Sequence, residues 1–146
     1  MSTPSSRVEM IRSLFESADI PCEIPKDILR ELWWKFMMNV GVNQTSAILK
    51  APYGVYARSQ TARDLMRDAC LEVVQVAQKA GIALVEADID TCCTILANLS
   101  ADKKTSMLQD VEACRKTEVE AFSGTVIRLG QEYGVQTPVN QVLNQM

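Results

Sequence analysis

Twelve consecutive residues, Leu32-Trp-Trp-Lys-Phe-Met-Met-Asn-Val-Gly-Val-Asn43, contain only three polar side chains, Lys35, Asn39 and Asn43. These recur at every fourth position. On an α-helix four residues advance about 400°, so successive members drift by about 40° and stay on one stripe. A helix that is apolar on nearly every other side is a buried helix, and an ammonium or amide buried without partners costs free energy. The chain must satisfy this stripe internally, let the lysine reach water along its stem, or turn the stripe toward a ligand.

The remaining segments also read as helices. Ser6-Arg-Val-Glu9 has a capping-box pattern, and Val8, Ile11, Leu14 and Phe15 follow at helical spacing, which predicts a helix over 7–18. Pro21-Cys-Glu-Ile-Pro25 ends it, and Cys22–Ile24 reads as an extended stub with no evident strand to pair with. The long helix is expected from about Lys26 to Leu49, stopped by Ala51-Pro-Tyr-Gly54. A second runs from about Ser59, with Leu65, Ala69, Val73, Val76, Ala77 and Ala80 in period and Gly81 as the residue after the cap. Others are predicted over 87–98, over 102–114 with Asp102 as N-cap, and over 117–133 ending at Gly134. Thr137-Pro138 opens a short terminal helix. The expected fold class is all-α, a compact multi-helix domain.

At 146 residues the chain can bury one sizeable core, so a single domain is the default. A net charge of −3 gives no footprint for nucleic acid, which needs clustered excess Lys and Arg. No apolar run approaches the roughly 18 residues that span a bilayer, and Met1–Ser6 is too polar for a signal peptide; no membrane association and a cytoplasmic location are expected. The five cysteines are odd in number and lack C-x-x-C spacing, which fits reduced thiols in the core. There is no histidine. Ser–His and Cys–His nucleophiles and His-ligated metals are thereby removed, and proton transfer falls to Lys, a carboxylate or Tyr.

A second polar group comprises Thr105-Ser-Met-Leu-Gln-Asp110 and Arg115-Lys-Thr-Glu118. Ser106 and Asp110 are four apart and share a helix face, whereas spacing does not place Glu118. Taken alone, these residues read first as a solvated charged surface, because most such residues are exposed.

Together, Trp33-Trp-Lys35-x-x-x-Asn39-x-x-x-Asn43, Ser106-Met-Leu-Gln-Asp110, Thr117-Glu118 and Gly134-Val-x-x-Pro138 agree in order and spacing with one family. Over roughly residues 7–146 the chain resembles the C-terminal helical domain of ketopantoate reductases, the 2-dehydropantoate 2-reductases of pantothenate synthesis. The resemblance implies a helical fold of the 6-phosphogluconate-dehydrogenase C-terminal type and an NADPH-dependent oxidoreductase acting on a ketopantoate-like 2-oxo acid. It implies that Lys35 is the general acid and that Glu118 helps hold substrate near it. It further implies that Asn39, Asn43 and Ser106 contact substrate, with Asp110 in a structural role. The residue types suit that chemistry. Hydride delivery to a ketone leaves negative charge on oxygen, which an ammonium stabilises and then protonates. A carboxylate nearby would keep that ammonium charged in a desolvated cleft.

The family enzyme also has a dinucleotide-binding domain with a Gly-rich turn. Here Gly41, Gly54, Gly81, Gly124, Gly130 and Gly134 are scattered and form no G-x-G-x-x-G cradle. Residues 1–25 are therefore expected to be a tail plus the remnant helix and strand of a missing Rossmann domain, and 26–146 the substrate-binding and catalytic domain. By itself such a chain should bind NADPH weakly or not at all and turn over nothing. The surface facing the missing domain should be an apolar patch prone to self-association, with a homodimer as its natural outcome. Two other readings stay open: a reductase for a different 2-oxo acid, and a non-catalytic helical dimerisation module.

Overall fold

The computed structural model describes residues 5–146. Its elements are α1 (Ser6–Ser17), α2 (Ile28–Met38), a first π turn (Asn39–Asn43), α3 (Gln44–Leu49), α4 (Tyr53–Arg58), α5 (Gln60–Lys79), α6 (Glu86–Ala97), α7 (Ser106–Glu112), a second π turn (Glu120–Gly124), α8 (Thr125–Tyr133) and α9 (Pro138–Gln145). The all-α expectation holds, with no strand among the described residues.

The organising element is α5. Met66, Ala69, Cys70, Val73 and Ala77 along it are fully buried, and α2, α3, α4, α6, α8, α9 and the first π turn all pack on it. Its ends were legible in the sequence. The Ser59 side chain accepts from the Ala62 amide, and Gly81, at φ +80°, takes the left-handed conformation that closes the helix. Arg30 of α2 spans to the α5–α6 connection, donating to the Ala83 carbonyl at 3.2 Å and to the Asp88 carboxylate at 2.6 Å. Asp88 also accepts from the Val85 amide at 2.9 Å, so one nearly buried carboxylate both opens α6 and ties down α2.

Several boundaries differ from those read from the sequence. Ser5 rather than Ser6 caps α1, which removes the predicted reciprocal bond from Glu9; that glutamate pairs instead with Arg12. The strand expected at Cys22–Ile24 does not form, since a lone segment has no ladder to join. The 26–49 helix starts at Ile28, with Asp27 accepting from the Arg30 amide at 3.0 Å, and a π turn interrupts it. Pro52 and Gly54 do stop that helix, yet they also start another, α4, which the sequence reading missed. Asp102 is not an N-cap. The Tyr53 and Gly54 amides donate to the carbonyls of Lys103 and Ala101, holding 101–104 as a loop, and Thr105 caps the shorter α7 by accepting from the Leu108 amide at 3.1 Å. Thr137 does not cap α9 with its side chain either; the carboxylate of Glu72 does so from α5.

No helix is long and apolar enough to cross a membrane among the described residues.

Candidate active site

Two of the sequence-predicted site residues stand next to a buried, hydrogen-bonded residue: Asn43 beside Gln44 and Ser106 beside Thr105. Asn39 and Asn43 bound the first π turn, and Lys35 lies one turn before it at the end of α2. Inside that turn Gly41 allows contact with α5: a Cβ there would collide with the Cys70 sulfur and approach the Met66 carbonyl to 3.1 Å. Gln44 and Thr45 fold back on the turn, donating to the Val40 and Gly41 carbonyls at 2.8 and 2.7 Å. π turns of this kind are rare and cluster at functional sites.

Ser106 is the first residue of α7. The Thr105 hydroxyl beside it donates to Ser46 of α3 at 3.1 Å, and Ser46 donates to the Ala51 carbonyl at 2.6 Å. Asp110 receives two bonds from the Arg115 guanidinium, at 2.8 and 2.7 Å, which close the turn leading to Glu118. Glu118 lies two residues before the second π turn, its carbonyl accepting from the Ala121 and Phe122 amides. The first π turn packs against both α7 and the second π turn, so these segments form one contiguous region.

The side chains themselves are more open than expected. Lys35, Ser106 and Glu118 are exposed, and Asn39 and Asn43 are half-buried. Lys35 and Glu118 form no ion pair among the described residues, and Lys35 does not lie in a desolvated cleft. An exposed ion pair is worth roughly 0–1 kcal/mol, too little to fix two mobile side chains. The Lys35 charge does reach the seam between α2 and α6. Burial pushes the Cys92 thiol up to about 12, the neighbouring Cys93 adds to that rise, and the Lys35 ammonium opposes it.

The sequence reading missed the buried polar set behind this face: Gln44, Thr45, Ser46, Glu72, Ser123 and Asn140. One signal was available. Asn43-Gln-Thr-Ser46 is a run of four polar residues inside a helix, between Val42 and Ala47. Thr45 meets the Tyr56 hydroxyl at 2.6 Å, and burial, working against that bond, raises the Tyr56 pKa to about 12.

Gly41 and Gly54 serve close contacts within the chain; at Gly54 a Cβ would lie 2.7 Å from that of Ala101. A cavity of about 260 Å³ between α4, α5 and α6, lined by Tyr56, Arg63, Met66, Cys93 and Leu96 among others, contains none of the five predicted residues. Among the described residues no group of three or more potential ligands is placed to hold a metal.

The family model for the C-terminal region of ketopantoate reductase, PanE/ApbA, matches residues 27–146. The chain belongs to the ketopantoate reductase family. A 2-dehydropantoate 2-reductase from Pyrobaculum aerophilum is 32% identical over 138 residues, covering 94% of this chain and 49% of that protein. One from Aquifex aeolicus is 31% identical, covering 98% and 49%. A dimeric ketopantoate reductase from Staphylococcus aureus superposes with a TM-score of 0.86 at 25% identity, over 98% of this chain and 50% of that one. The chain thus spans about half the length of the ketopantoate reductases it matches.

Proposed function

We propose that this chain is the substrate-binding and proton-donating half of an NADPH-dependent reductase that converts ketopantoate to pantoate. The reading is supported by the family match together with the packing of the elements that carry Lys35, Asn39, Asn43, Ser106 and Glu118, whose side chains are exposed or half-buried. Among the described residues no side-chain hydrogen bond holds these polar groups, which leaves their donors and acceptors open to a ligand. Lys35 would stabilise the carbonyl oxygen as charge develops and protonate it, while Glu118 draws the lysine and substrate together. Asn39, Asn43 and Ser106 would orient the carboxylate and hydroxyl groups of the substrate.

The nucleotide is assigned to a second, Rossmann-type unit. Its docking surface would be the apolar side chains concentrated on α1 and the first turns of α2, where Met10, Leu14, Ile28, Leu29 and Leu32 are each more than half exposed (68%, 63%, 57%, 57% and 58%). None of the residues of α1 is buried by the described chain. That unit would also form the missing walls of the cleft, drying Lys35. Self-association into a homodimer and a cytoplasmic location belong to the same proposal.

The test is ketopantoate-dependent NADPH oxidation, first by the chain alone and then with a nucleotide-binding half supplied. No turnover is expected in the first case and turnover in the second; turnover by the chain alone would contradict the division of labour. A second reading, a different 2-oxo acid as substrate, is favoured by one observation. A D-mandelate dehydrogenase has the same fold, with a TM-score of 0.87 at 22% identity, so the fold alone does not fix the substrate. Competition between ketopantoate and aromatic or unbranched 2-oxo acids separates the two.

A further inference from the structure

The two π turns are joined by one buried side chain. Gln44 is fully buried, and its amide presents opposite chemistry at its two ends. The Nε2 end donates to the Val40 carbonyl within the first π turn at 2.8 Å and faces Asn140 Oδ1 at 3.4 Å. The Oε1 end accepts from the backbone amide of Ser123, within the second π turn, at 3.2 Å. Asn140 is itself fixed, donating through Nδ2 to the Ala69 carbonyl at 3.2 Å and to Glu72 at 2.7 Å. Ser123 is held again from its side chain, which donates to the Val119 carbonyl at 3.2 Å and bonds Asn144 at 2.9 Å.

We propose that Gln44 is a positioning residue that sets the separation between the Asn39–Asn43 pair and Glu118, and so the fit of a 2-oxo acid between them. The first π turn carries the asparagines, and Glu118 lies five residues before Ser123 at the entry to the second. No other side chain bridges backbone groups of both turns among the described residues. The amide is the one neutral group of this length that donates to one turn and accepts from the other. A methionine fills the same space with neither function, leaving the Val40 carbonyl and the Ser123 amide unpaired in the interior. A glutamate keeps the acceptor for Ser123 and loses the donor for Val40.

The inference rests on the proposed substrate-binding role, and the experiment separates the two. Ketopantoate is titrated into the ¹⁵N-labelled chain, and the side-chain amides of Asn39 and Asn43 and the backbone amide of Glu118 are followed by NMR. Wild type should shift all three with one shared dissociation constant. Gln44→Met should weaken binding about ten-fold or more and uncouple the Glu118 response from the asparagines. Leu96→Ala, a core truncation on α6 remote from both turns, should bind like wild type despite its lower Tm. Should Gln44→Met not fold, Gln44→Glu is read in the same way. Binding by the Gln44 variant within two-fold of wild type overturns the positioning role while leaving the substrate reading intact. An equal loss in Leu96→Ala also overturns it, because general destabilisation then explains both. Absence of any wild-type response to ketopantoate, with Lys35→Ala indistinguishable from wild type, overturns the substrate reading and this inference with it.

Discussion

Two sets of polar residues in this chain meet opposite fates. Gln44, Thr45, Ser46, Glu72, Ser123 and Asn140 are buried, and every one is hydrogen-bonded inside the chain. Lys35, Asn39, Asn43, Ser106 and Glu118 are exposed or half-buried, and no side-chain hydrogen bond inside the described chain holds them. The buried set carries stability, because a polar group in the interior must be paired. The open set contributes little to the fold, which fits the proposed role in binding a ligand.

The largest effect on stability that would sharpen this contrast is at Glu72. Its carboxylate accepts from the Val139 and Asn140 amides and from Asn140 Nδ2 at 2.7–2.9 Å, capping α9. Glu72→Ala leaves those donors unpaired and should cost about 3 kcal/mol, read as a lower urea midpoint. Gly41→Ala forces a methyl group into the Cys70 sulfur and should cost about 1–3 kcal/mol, measured by thermal or urea unfolding. An unchanged midpoint would deny the tight contact between the first π turn and α5.

Alkaline titration comes next. Burial raises the thiol of Cys92 from 9.0 to about 12 and the phenol of Tyr56 from 10.0 to about 12. Folding therefore favours their neutral forms, and this stabilisation is complete below the unfolded values. It should be lost as pH rises from about 9 toward 12, by at most about 1.4 kcal/mol per pH unit per group. Cys92→Ala should reduce the slope, as followed by urea midpoints between pH 8 and 11. The smallest effect is expected on the open face. Asn39→Ala and Ser106→Ala should each change stability by no more than about 0.5 kcal/mol, and a loss of several kcal/mol would place them in the buried set instead.

The same division explains what could be read from the sequence. Helical periodicity gave the long helices and the core face of α5, since burial of Met66, Cys70, Val73 and Ala77 follows the 3.6-residue repeat. The stripe of Lys35, Asn39 and Asn43 was visible for the same reason. What periodicity could not contain were tertiary substitutions for local signals: Glu72 capping a distant helix, Thr105 displacing Asp102, and α4 starting where a stop was written. The π turns were equally hidden. They depend on Gly41 meeting α5 and on Gln44 reaching Ser123, contacts between segments 79 positions apart in the latter case. The desolvation expected around Lys35 is not found, since its side chain is exposed in the described chain.

The central claim is that Lys35 supplies the proton when a 2-oxo acid is reduced. The most direct measurement is the rate of ketopantoate-dependent NADPH oxidation by this chain together with a nucleotide-binding half, comparing wild type with Lys35→Ala. A fall in kcat of about 10²–10⁴ with an unchanged unfolding midpoint is the predicted result. Turnover by Lys35→Ala within a few-fold of wild type would contradict the account.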